Sequence, residues 1–179
     1  GYSDAKKMIY SEFEFVEIEG INRHTVNLET IKMALELIDM MPACDDSISA
    51  NNERLRQELL SIVSFLPNEI LQEYQYLVND LLKRGCEVMV HGDYSFENIG
   101  WDVKNNKLIV FDFQNSGYGV HSWDKSYLLS SIPNTEYANL LSDSSIELMK
   151  IATALKYGRG IRKNFEVEER KKIYEYWWR

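Results

Sequence analysis

The sequence predicts an α+β fold that is mostly α, and three features of its pattern predict it. Apolar residues recur at helical spacing on both sides of the chain's centre, through Ile31, Ala34 and Ile38, across 53–83, and again from 144 onward. Between these stretches lie two short apolar runs, Ile99 to Val103 and Leu108 to Phe113. They are joined by Lys104-Asn105-Asn106-Lys107, where asparagine tolerates the positive φ of a tight turn. Near the start, Glu12 to Gly20 alternates acidic with apolar residues and ends in glycine, the pattern of one strand with a wet face.

The 179 residues suffice for a single domain, 1–179, with a sizeable core. It divides into a strand region (1–20), a helical region (21–85), a β-hairpin region (86–113) and C-terminal helices (114–179). In the helical region, 27–41 reads as a helix that stops before Pro42. Glu53 to Phe65 and Asn68 to Lys83 read as two more, parted at Pro67 and closed by Gly85. Cys86 to Val90 is a short buried strand that leads into the hairpin. Gln114 to His121 holds Gly117 and Gly119 and reads as a loop. Helices follow near Trp123 to Ser131, Ser144 to Tyr157 and Val167 to Trp178.

Charge bounds the partners. The formal net charge is −8, yet Lys150 to Arg179 holds nine basic and four acidic residues, so the rest carries −13. A body that acidic argues against nucleic acid, whose phosphates need the opposite sign. It suits a cationic substrate or serves solubility alone. No run of eighteen apolar residues predicts a membrane span, and the first residues carry no secretory signal. Cys44 and Cys86 are too few and too far apart for a disulfide framework or a zinc site, so they read as reduced thiols of a cytoplasmic protein.

The informative stretch is Val90-His91-Gly92-Asp93-Tyr94-Ser95-Phe96-Glu97-Asn98-Ile99, followed by Ile109-Val110-Phe111-Asp112-Phe113. Phosphoryl transfer asks a protein for a carboxylate that orients the attacking hydroxyl and for hard oxygen donors that hold magnesium on the phosphates. Asp93, Asn98 and Asp112 supply that set. His-Gly-Asp, four residues, Asn, then a strand ending in Asp-Phe is a specific combination, although His-Gly-Asp alone is weak.

These motifs resemble the protein-kinase-like superfamily, and Gly92 points to its branch of aminoglycoside phosphotransferases and choline kinases. The resemblance implies a kinase-like C-terminal lobe with a small β-hairpin bearing the catalytic loop. It implies an ATP- and Mg2+-dependent transfer to a small-molecule hydroxyl of the aminoglycoside, choline or amino-alcohol class. By the same resemblance Asp93 is the catalytic base and Asn98 and Asp112 are the metal ligands. His91, Gly92 and Asp124 hold the catalytic loop, and the strand ending at Glu19 is the hinge that meets adenine through its backbone. The superfamily's N-lobe, with its glycine-rich loop and strand lysine, is absent from this chain and is expected in a longer one, which leaves this chain alone inactive.

A catalytically silent lobe used as a binding module is the competing expectation. A metal-dependent hydrolase built on His91, Asp93 and Asp112 is another, and it requires a metal-bound imidazole. Protein phosphorylation is disfavoured by Gly92 and by the short stretch from Asp112 to Asp124. The pairs Trp123/Tyr127 and Tyr174/Trp178 lie four residues apart and read as helix packing rather than as an aromatic cage for a cation. Lys156, Arg159, Arg162 and Lys163 could meet phosphate, yet a solvated face is the default reading.

Overall fold

The computed structural model describes residues 17–43, 53–84, 87–132, 137, 140 and 145–179. The expected strand before residue 17, the two cysteines and Gly85 lie outside them. Within them the chain is mostly helical with two small antiparallel sheets, and no helix is long and apolar enough to cross a membrane.

Strand β1 (Ile18–Gly20) runs to helix α1 (Leu28–Asp39). The Asn27 side chain caps α1 by accepting the Thr30 N–H at 2.8 Å, and Ile31, Ala34 and Ile38 form its buried face. Helix α2 (Glu53–Ser61) is shorter than expected, because Val63–Phe65 tightens into a 3-10 turn ahead of Pro67. The Ser61 hydroxyl donates back to the Glu58 carbonyl at 2.8 Å, the local bonding by which serine competes with helix continuation. Helix α3 (Asn68–Lys83) has the expected bounds, and the buried Tyr74 hydroxyl ties it to α2 by donating to the Leu59 carbonyl at 2.9 Å.

Strand β2 (Val88–Val90) precedes the hairpin of β3 (Ile99–Asp102) and β4 (Lys107–Val110), in which Ile99 pairs with Val110. β1 lies antiparallel on the outer side of β3, with Gly20 opposite Gly100. The segment read as a loop is in part strand β5 (Gly117–Gly119), paired antiparallel with β2. Its two glycines conceal a strand from any propensity argument.

Helices α4 (Ser122–Leu129), α5 (Ile146–Lys163) and α6 (Val167–Trp178) complete the order. α5 runs six residues past its expected end. Gly158 and Gly160 discourage a helix on propensity, but α5 packs so closely on Ile62 that a Cβ at Gly158 would stand 2.7 Å from the Ile62 Cβ. Asn164, in the left-handed region at φ 50°, ends it.

α5 divides the core. Leu148, Ile151, Ala152 and Leu155 pack with α3, Trp123 and Tyr174, while Met149 joins Ile31, Tyr94, Ile99 and Leu128. Each fully buried leucine or isoleucine here stabilises by roughly 1.5–3 kcal/mol relative to exposure. Tyr174 and Trp178 stand 6.1 Å apart, and Trp123 and Tyr127 stand 5.9 Å apart, all four within or against this core, so the aromatic pairs are packing pairs.

Candidate active site

β2 delivers His91 fully buried at its end. The ring Nε2 lies 2.8 Å from the Phe111 carbonyl, which only accepts, so Nε2 carries the hydrogen and Nδ1 accepts the Asp93 N–H at 3.3 Å. Both ring nitrogens are therefore engaged by backbone groups. The ring also meets Phe113 at 4.7 Å, so it clamps the loop after β2 to the segment that follows β4.

Asp124, on α4 and fully buried, accepts the backbone N–H of His91 at 2.6 Å and of Gly92 at 3.0 Å. Burial pushes its carboxyl up to about 6 against the pull of those two donors. Gly92 adopts φ 80°, and a Cβ built there would collide with the Asn115 carbonyl oxygen. Only glycine fits that turn.

From Asp93 the chain turns through Phe96–Asn98, and the Asn98 Nδ2 donates to the Asp93 carbonyl at 2.9 Å. Tyr94 and Phe96 point into the core, where the Tyr94 hydroxyl donates to the Ala34 carbonyl at 2.7 Å. The bulk of this segment is thus spent on packing. Asp112 stands just beyond β4 in the left-handed region at φ 60°, an unusual backbone for a non-glycine residue. Its neighbour Phe111 donates its N–H to the Asn98 carbonyl at 3.1 Å, which joins the two proposed ligand segments.

The residues present fit a magnesium ion. Asn98 uses its nitrogen on the loop and keeps Oδ1, a hard oxygen, while Asp112 is exposed and accepts a long 3.3 Å bond from Gln114. Among the described residues no three His, Cys, Asp or Glu side chains gather as a metal site.

Asp93 and Asn98 open on a cavity of about 270 Å³; Asp112 is not among its lining residues. The opposite wall is built in part from the basic cluster on α5. Arg159 of α5 lies 3.5 Å from the Asp93 carboxylate, donates to the Tyr127 hydroxyl at 2.6 Å and pairs with Glu58 at 3.1 Å. Lys156, one turn earlier, is 9% exposed, with its Nζ 4.1 Å from the centre of the Tyr127 ring. The expectation of a solvated face therefore fails at Lys156 and Arg159, because α5 is covered there by α4 and α6. Arg23 and Arg170 also line the cavity, and nothing in the local sequence singled them out. A signal did exist on α5: Lys156, Arg159 and Lys163 lie at i, i+3 and i+7, one helix face.

A family model described as the phosphotransferase enzyme family matches residues 33–145. Among solved structures, this chain is similar in fold to amicoumacin kinase hAmiN in complex with AMP-PNP, Ca2+ and Ami. The two share 16% identity at a TM-score of 0.54 over 85% of this chain, which spans 62% of the kinase's length. No curated protein matches the chain. With the family model covering most of its length, the chain belongs to the phosphotransferase enzyme family.

Proposed function

We propose that the chain is the catalytic lobe of a kinase that moves the γ-phosphoryl group of ATP to a hydroxyl of a small molecule, with Asp93 as the base. The observation that carries this is the joined pair Asp93 and Asn98 at the mouth of a cavity large enough for a small molecule. Family membership supports phosphotransfer, and the similar kinase, solved with a nucleotide analogue and a divalent cation, supports the cofactors.

In this reading Asp93 accepts the hydrogen bond and then the proton of the acceptor hydroxyl. Arg159, 3.5 Å away, forms an ion pair with that carboxylate. His91 and Asp124 hold the loop and touch no substrate. Asn98 Oδ1 and the Asp112 carboxylate would hold Mg2+, which when bound offsets the negative charge of the phosphates. The nucleotide-clamping lobe belongs, in this reading, to the longer protein.

The test is turnover and Mg-ATP affinity of Asp93→Asn and Asp112→Asn in the full-length protein. Asp93→Asn should lose about 10²–10⁴-fold in turnover with nucleotide affinity nearly unchanged. Asp112→Asn should lose both. Full turnover in Asp93→Asn removes the proposed base.

A further inference from the structure

The chain is acidic overall, yet the cavity beside Asp93 gathers Arg23, Lys156, Arg159, Lys163 and Arg170 against the carboxylates Asp93 and Glu97. Pairing accounts for the arginines. Arg159 has Glu58, and Arg23 and Arg170 share Glu166 at 2.7 and 3.2 Å. It does not account for the lysines. No carboxylate among the described residues lies within ion-pair distance of Lys156 or Lys163.

Lys156 is the telling one. The residue is nine-tenths buried, its ammonium lies over the Tyr127 ring, and it lines the cavity. Burying a charge without a counter-ion is costly, and a cation–π contact returns only part of that cost. Burial pushes this ammonium down to about 7, although Glu97 and Asp93 pull it upward. An anion in the cavity supplies the missing partner.

We propose that the cavity is an anion-recognising acceptor site: the molecule that presents its hydroxyl to Asp93 also carries a phosphate or carboxylate group, met by Lys156 and Lys163. The role given to Asp93 rests on the phosphotransferase reading; the anion does not. A polycationic aminoglycoside or a choline head group would set its own positive charge against these lysines, so the overall acidity of the chain is a poor guide to its substrate.

The experiment is calorimetric titration of the full-length protein with inorganic phosphate, glycerol 3-phosphate and glycerate, using wild type, Lys156→Met and Lys163→Ala. The last two probes separate a phosphate from a carboxylate preference. Saturable binding at one site is expected, weakened at least tenfold by Lys156→Met and severalfold by Lys163→Ala. Choline and kanamycin should fail to displace the bound anion. Lys163 is exposed, so its variant carries the test should Lys156→Met not fold. Absence of saturable anion binding, binding indifferent to both substitutions, or displacement by choline overturns the proposal. So does an equal loss of Mg-AMP-PNP affinity in the two variants, which would give the lysines to the nucleotide. These titrations do not involve turnover, so a failed Asp93→Asn test and a failed anion site are told apart.

Discussion

The cavity has two walls of different origin. The loop wall, from Asp93 to Asn98, is six residues placed by one turn, with the Asn98 side chain bonded to the Asp93 carbonyl. The helical wall takes Arg23 from beyond β1, Tyr127 from α4, Lys156 and Arg159 from α5, and Arg170 from α6. The first is local in sequence and holds the groups proposed to react. The second exists only after α5 and α6 have packed, and it holds the charge proposed to meet a ligand. In this reading chemistry and recognition are encoded at different ranges along the chain.

Substitutions at the anchors of each wall sharpen that division. Asp124→Ala should have the largest effect on stability. It leaves the buried N–H groups of His91 and Gly92 without an acceptor, about 1–3 kcal/mol each. If the walls are separate, a variant that still folds should lose turnover steeply while binding phosphate near the wild-type affinity. Loss of both together would show the walls to be one unit. Denaturant unfolding, turnover and phosphate titration decide it.

Gly158→Ala addresses the helical wall. The added methyl would press on Ile62 from 2.7 Å and should cost about 1–3 kcal/mol as α5 shifts. Its signature should be a weakened anion affinity with turnover at saturating acceptor little changed.

The smallest effect is a pH dependence. Lys156 has a folded value depressed to about 7, below its unfolded one, so its contribution to stability is present at high pH and is lost as pH falls through 7. The wild-type thermal midpoint, referred to that of Lys156→Met, should rise between pH 7 and 9. A constant difference across that window would mean that Lys156 stays charged in the folded protein.

Much of the molecule was legible before folding. α3 and α6 have the bounds the periodicity predicted, because Pro67 and the spacing of apolar residues are local signals. The loop wall was legible as a motif for the same reason, its residues being close together in sequence. Strand β5 and the last turn of α5 were not, since Gly117, Gly119, Gly158 and Gly160 argue locally against the structures that close packing imposes. The environment of Lys156 was legible only as a periodicity on α5; whether that face met water or a cavity depended on α4 and α6. Net charge is a sum over the whole chain and says little about the few side chains that line one cleft.

Gly92 has a further consequence, one that concerns sequence change over generations rather than catalysis. A single nucleotide separates glycine codons from arginine codons, so the His-Arg-Asp form of this motif is one mutation away. The backbone forbids the step: φ 80° disfavours any side chain, and the first carbon of one would strike the Asn115 carbonyl. To accept arginine, the turn at 92, the 3-10 turn Phe113–Asn115 and the Asp124 anchor would have to change together. The two forms of the motif are neighbours in the genetic code, yet arginine does not fit this turn as it is built here.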